Sequence, residues 1–431
     1  MQNNLRLVLH AGLSAFVIYF SMYAFRKPFA AATFEGLEVF GIGFKVLLVI
    51  SQVVGYALSK FIGIRFISGL NHQRRATSII LFILLAEMAL LGFALAPKEF
   101  KFIFLFLNGI PLGMIWGLVF SYLEGRTVTE LLAALLTASY IMASGMTKSI
   151  GKYLMNVFGV TEFWMPFCTG ALFILPLFLG VWLIEKVPPP QVEDIRFRKK
   201  RVPMNKEDRR RMVMGLAPGL TALTILLFLT TAFRDLRDNF SAELWEQLGY
   251  GNSAAVFSQT EIFITLGILV ALSLFVLIKN NLQALLYMQI LMGGGLVILL
   301  ASTLVFEHTR FNSPLVWMTL SGLGAYLAYV PMGSMVFERI SAVFDFKSNA
   351  GFLIYVADAF SYLGSVGILL VKEIFYKNIS VYEYFIQIMY VIGIVGLGCT
   401  VFAFFYFKKR AYGIEQHDTG NPQPVPQTRS Y

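Results

Sequence analysis

Apolar runs close to the roughly 20 residues that cross a bilayer's hydrocarbon core recur from one end of this chain to the other. They fall at 7–25, 44–67, 76–95, 102–123, 131–158 and 163–184, and after a polar gap at 216–236, 257–277, 284–306, 314–335, 351–370 and 384–407. Inside hydrocarbon a backbone has no water to bond, so runs of this length imply helices that satisfy their own peptide groups. Composition agrees: 57% of the 431 residues are hydrophobic and 14% are charged, whereas soluble domains carry about 25% charge. The predicted fold class is therefore all-α and integral to the membrane, with twelve transmembrane helices in two related six-helix halves.

The polar gap at 185–214 opens on Pro188-Pro189-Pro190 and holds ten Lys or Arg against five Asp or Glu. It separates an N-terminal bundle at 1–184 from a C-terminal bundle at 215–407. The remainder, 408–431, is polar and Pro-rich and is predicted to be a disordered tail. With the N-terminus inside, the cytosolic segments hold 21 Lys or Arg between Arg6 and Arg410, linker included, and the opposite side about seven. The positive-inside rule then places the linker and both termini in the cytosol, and in a bacterium the membrane is the inner, plasma membrane. The formal charge of +10 thus lies mainly on loops beside anionic headgroups, and no nucleic-acid partner is expected. Cys168 and Cys399 fall inside spans without metal-ligand company, so neither a disulfide, a metal nor a cofactor is expected. The first apolar run leads directly into more membrane and reads as a retained helix. The expected surroundings are a lipid bilayer and a small anionic solute, with the chain acting as a monomer.

An internal echo supports the two halves. Ala24-Phe25-Arg26 at the end of span one returns as Ala232-Phe233-Arg234 near the end of span seven, as parallel repeats in transporters lead one to expect. Ionisable groups at bilayer depth are costly, by at least ~2.5 kcal/mol on insertion scales, and therefore face a cavity or a partner. Tyr19, Tyr23, Arg26 and Lys27 share one helical stripe. Tyr56 and Lys60 repeat the device on span two, Ser144, Lys148 and Lys152 on span five, and Tyr355, Asp358 and Tyr362 on span eleven. Together they predict a cationic, tyrosine-lined cavity. Alternatives stay open. The tyrosines also suit an interfacial belt, Arg234 suits a self-neutralising cluster with Asp235, Arg237 and Asp238, in which Arg234 and Asp238 are an i, i+4 pair, and Asp358 and Lys148 read either as counter-ions or as coupling groups. Two arginines at equal depth suit a dianion gripped from both halves, because the guanidinium fork matches phosphate and carboxylate.

These residues also carry a family resemblance. Tyr19-Phe-Ser-Met-Tyr23-Ala-Phe-Arg26-Lys27-Pro resembles the first helix of the organophosphate:phosphate antiporters of the major facilitator superfamily, such as the glycerol-3-phosphate and hexose-phosphate transporters. Tyr56-Ala-Leu-Ser59-Lys60-Phe61 is similar to the family's second-helix element, and Gly109, Gly113, Met114 and Trp116 to its fourth. Tyr329-Val-Pro331 and Phe360-Ser-Tyr362-Leu-Gly364 extend the likeness into spans ten and eleven. The resemblance implies a substrate cavity in which Arg26 and Arg234 bind phosphate and Tyr19, Tyr23, Lys27, Tyr56, Lys60, Tyr329 and Tyr362 line the walls. Two departures stand out. Met142 occupies the place of a fifth-helix histidine, and the loop between helices two and three reads Ser68-Gly-Leu-Asn-His-Gln-Arg74-Arg75 instead of carrying an Asp-Arg element.

The leading expectation is a secondary transporter of a small anionic, phosphorylated solute by alternating access, operating as an antiporter. A transporter-fold sensor of a sugar phosphate is the alternative from another class, as is a carrier of a different solute, a carboxylate or a peptide. An enzyme is the weakest reading, since no Gly-x-Ser-x-Gly element or His-rich cluster is present.

Overall fold

The computed structural model describes residues 7–68, 72–123, 126, 129–188, 206–275, 278–309, 313–344 and 350–419, with the backbone alone for parts of these, 350–359 included. One π-helical turn at Val8–Gly12 leads into α1 (Leu13–Ala24), and then come α2 (Phe44–Ser68), α3 (His72–Leu95), α4 (Lys101–Leu123), α5 (Thr129–Phe158) and α6 (Met165–Glu185). A short helix in the gap, α7 (Lys206–Gly215), precedes α8 (Ala217–Asn239), the brief α9 (Ser241–Gln247), α10 (Ala255–Phe275) and α11 (Asn281–His308). The chain continues through α12 (Pro314–Pro331), α13 (Phe337–Val343), α14 (Ala350–Phe375) and α15 (Val381–Thr419). The twelve predicted spans are occupied by α1 to α6, α8, α10 to α12, α14 and α15. Among the described residues, eight helices are individually long and apolar enough to cross a membrane. A two-residue antiparallel ladder, Glu38–Val39 against Ile42–Gly43, turns the chain between α1 and α2.

Within the first half α1 packs on α5 and α6, α2 on α4, and α3 on α4 and α6. Within the second, α8 packs on α14 and α15, α10 on α12, and α11 on α12 and α15. The halves meet where α5 lies along α10 and α2 approaches α14. The α2–α4 crossing is close because it is built on glycine. A Cβ at Gly55 would strike the Phe106 carbonyl, one at Gly109 the Gln52 carbonyl, and one at Gly113 the Ser59 side chain. Small residues at such spacing let helix backbones approach in lipid, where packing must replace the hydrophobic drive.

The exterior is apolar. Leu266, Val270 and Leu274 form an i, i+4, i+8 stripe on α10, each more than half exposed, as lipid-facing positions require. Polar side chains collect inside instead, Lys27, Asn108, Lys148 and Arg237 among them. The tenth span breaks where hydropathy predicts one unbroken helix. Pro331 ends α12, and a π turn at Met332–Val336 carries the chain into α13, because a proline cannot donate to the helical ladder. Beyond the last span, α15 stays helical to Thr419, inside the segment predicted as a disordered tail. The Lys408 to Glu415 stretch holds good helix formers, and no proline follows until Pro422. Residues 420–431 and most of the linker lie outside the described residues.

Candidate functional site

Tyr23 from α1, Arg26 and Lys27 from the turn after it, Tyr140 and Ser144 from α5, Arg234, Asp235 and Asp238 from α8, and Tyr326 from α12 line a narrow, almost filled cavity between the halves, with room for little more than one water. The first helix stops at Ala24, and Phe25 to Lys27 form a turn before a short 3-10 segment at Pro28–Ala31. Arg26 and Lys27 therefore leave the stripe that an unbroken helix would give them and diverge.

Arg26 is 7% exposed and lies over the Tyr56 ring, Cζ 3.9 Å from its centroid, with Tyr23 at 5.7 Å. Its Nε is buried without a hydrogen-bond acceptor, and among the described residues no carboxylate pairs with it. A guanidinium stacked on an aromatic face gains a cation–π attraction, yet that leaves its N–H fork unanswered. Arg234 is held differently. Its Nε and Nη2 both donate to Asp235 Oδ1, at 3.1 and 2.8 Å, and its Cζ lies 4.5 Å from the centroid of the Tyr329 ring. The other oxygen of Asp235 accepts from Ser365 Oγ at 2.6 Å.

Asp238 faces the opposite half. It accepts from Lys27 Nζ on Oδ2 at 2.5 Å and from Lys148 Nζ on Oδ1 at 2.7 Å, and Ser144 Oγ donates to the same Oδ1. Lys27 also donates to Asn239 Oδ1 at 2.9 Å, and Lys148 to Ser241 Oγ at 3.1 Å. The i, i+4 pairing of Arg234 with Asp238 is thus replaced by pairing across the two halves. Arg237, the residue before Asp238 along α8, pairs instead with buried Glu261 of α10 at 2.6 Å. Lys148 is accounted for as a partner of Asp238. Around the cavity, Arg26, Lys27, Lys148 and Arg234 outnumber Asp235 and Asp238 by two charges.

The remaining predicted residues lie in a second layer. Tyr19 packs edge-on against Tyr23 and Tyr140. Tyr56 and Tyr362 pack together across the halves at 5.8 Å, and Lys60 Nζ lies 4.6 Å from the centroid of the Tyr362 ring. Tyr329 is the platform beneath Arg234. The side chains of Asp358 and Tyr355 lie outside the described residues. Two lining residues escaped the sequence reading although its own rule finds them: Tyr140 precedes Ser144 and Lys148 at the same i, i+4, i+8 spacing, and Tyr326 precedes Tyr329 by one turn.

Comparisons with known proteins agree on the fold. Residues 28–410 match the model of DUF5690, described as a family of unknown function. No curated protein matches. Among solved structures, a bacterial homologue of the human lysosomal transporter Spinster, in an inward-facing and unoccupied conformation, is similar at a TM-score of 0.64 and 14% identity over 95% of this chain and 98% of that one. A mutant form of the peptide transporter POT is similar at 0.62 and 13% over 93% and 95%, and a D-xylose-proton symporter at 0.61 and 13% over 92% and 96%. The chain shares the fold of these transporter structures.

Proposed function

We propose that this chain, which belongs to the DUF5690 family of unknown function, is a secondary transporter that carries a small phosphorylated anion by alternating access of its two halves. The observation that carries the reading is Arg26, a buried guanidinium that no described carboxylate pairs with, lining the same cavity as Arg234 of the other half. Buried cations are normally paired, and an excess of two positive charges around this cavity complements a dianion such as a phosphate monoester. The unused donors of Arg26 and the free edge of Arg234 would grip it from both sides. Tyr19, Tyr23, Tyr56, Lys60, Tyr329 and Tyr362 supply walls and platforms on this reading, and Lys27 becomes available as Asp238 is displaced. Exchange against inorganic phosphate, as an antiporter, follows from the resemblance of the first helix. Both termini and the 185–214 linker face the cytosol on the same reading, with 1–184 and 215–407 as the moving halves.

The test is exchange by the purified full chain in proteoliposomes loaded with labelled inorganic phosphate, challenged outside with phosphate esters, dicarboxylates or dipeptides. Phosphate esters are expected to drive efflux, and Arg26→Lys or Arg234→Lys to abolish it at normal expression, since an ammonium keeps the charge but not the planar fork. Saturable dipeptide or sugar flux without phosphate flux would overturn the substrate assignment. Tight binding of a phosphate ester without turnover would mark a sensor instead.

A further inference from the structure

Glu87, in the middle of α3, is 5% exposed, and neither of its carboxyl oxygens has a hydrogen-bond partner. It is wedged within the first half. A Cβ at Gly170 of α6 would collide with its carboxyl group and press on Phe25 of the α1 turn, so glycine is what leaves room for the acid. The groups that face it from the surrounding elements can be named. From α6 comes the Cys168 thiol. From the α1 turn comes Phe25, while Arg26 and Lys27 point away to Tyr56 and Asp238. From α4 comes Asn108, whose amide nitrogen is engaged by the Phe25 and Ala86 carbonyls at 3.0 Å each. Lys101, at the start of α4, caps the Phe93 and Ala94 carbonyls at the far end of α3. Among the described residues, no cation or donor meets the carboxyl group.

We infer that Glu87 is a proton-binding site, loaded in the conformation described here and emptied when the first half opens to water. A bare carboxylate in such a pocket costs several kcal/mol, so the side chain holds a proton there. The proton comes from water and returns to water, leaving the carboxylate, with no other species consumed. The site is tied to the candidate anion site through the backbone. Gln52 Nε2 donates to the Arg26 carbonyl at 3.1 Å and to Asn108 Oδ1 at 2.9 Å, and Asn108 in turn holds the carbonyls of Phe25 and Ala86. Water admitted to a charged Glu87 must enter beside Phe25, and a shift of Phe25 carries Arg26 with it. The inference rests on the transport reading for its role in a cycle, but its site is separate from the substrate cavity.

Two measurements test it on the full chain in lipid nanodiscs and proteoliposomes. Difference infrared spectroscopy is expected to show the carbonyl stretch of a protonated carboxyl group that is lost as the pH is raised. The band should vanish in Glu87→Gln and survive in Cys168→Ala. A band that is absent, that ignores pH throughout, or that persists in Glu87→Gln overturns the inference. In proteoliposomes, the stimulation of phosphate uptake by an imposed pH gradient should fall to the gradient-free level in Glu87→Gln, and an undiminished stimulation would also overturn it. If Glu87→Gln does not assemble, Gly170→Ala places a methyl group against the same carboxyl and should displace the midpoint of the band, whereas an unmoved midpoint counts against the site. If no protein form moves phosphate at all, the substrate reading fails while the infrared titration still decides on Glu87.

Discussion

Arg26 and Arg234 occupy matched points of the two halves yet keep different company, and that difference predicts how each responds to removal. Neutralising Arg26 deletes a buried charge that no described carboxylate balances, so Arg26→Gln should abolish phosphate exchange while leaving thermal unfolding unchanged or raised. Arg234→Gln strands Asp235, which among the described residues then keeps only Ser365, and breaking a buried pair from one side costs about 3–5 kcal/mol. The expected result is a clear fall in the unfolding temperature of the purified protein, recovered in Arg234→Gln combined with Asp235→Asn. Equal destabilisation by the two single arginine changes would contradict the assignment of partners. The arginine pair itself was legible in the sequence, because Ala-Phe-Arg recurs at the same depth of the same span. The partners were legible only as a cluster of Asp235, Arg237 and Asp238 around Arg234, not pair by pair. Adjacent residues point to different sides of a helix, yet the long Arg234 side chain curls back onto Asp235, and no periodicity announces that. Lys27 was placed on a stripe that ends at Ala24, and its approach to Asp238 depends on how two distant helices cross. Glu87 stayed hidden for a related reason: a lone acid in an apolar run carries no spacing, and its want of partners emerges only in three dimensions.

The helices were easier to read. A span is dictated by bilayer thickness, so the predicted 102–123 and 163–184 differ by a residue or two from Lys101–Leu123 and Met165–Glu185. Breaks within a span were harder, since hydropathy runs unbroken through Pro331 while the hydrogen-bond ladder does not. The glycines of α4 were visible as a pattern, but their purpose became clear only against α2. That crossing predicts a sharp mutational boundary. Gly109→Val forces side-chain atoms into the Gln52 carbonyl and should cost at least ~1–3 kcal/mol, seen as loss of monodisperse protein on size-exclusion chromatography. The same change at Gly294, where a Cβ would meet nothing within 4 Å, should be tolerated, and the reverse ranking would be inconsistent with the packing.

At the scale of the whole molecule, four ion pairs among the described residues join the two halves toward one end. They are Lys27–Asp238, Lys148–Asp238, Lys45–Glu243 and Lys377–Glu38. The Gly43 amide donates to Glu373 Oε1 at 2.9 Å and Asn156 Nδ2 to the Asn252 carbonyl at 2.9 Å in the same region. If this end must open for transport, joining Asn156→Cys to Asn252→Cys with a short bismaleimide should stop phosphate exchange, with each single cysteine variant treated identically remaining active. Continued exchange by the cross-linked double variant would show that this end stays shut. Toward the other end the halves share an apolar seam: Ala134 and Ile141 of α5 lie in one cluster with Ile268 and Leu272 of α10 and Val330 of α12. Wetting charged groups lowers heat capacity and wetting hydrocarbon raises it. Opening at the apolar seam therefore carries a positive heat-capacity contribution, and the balance between the two openings bends with temperature. Cooling weakens the apolar joint, so a membrane in the cold should hold more of these molecules parted at the hydrocarbon seam, and the direction in which an empty carrier waits becomes a property of the climate its cell inhabits.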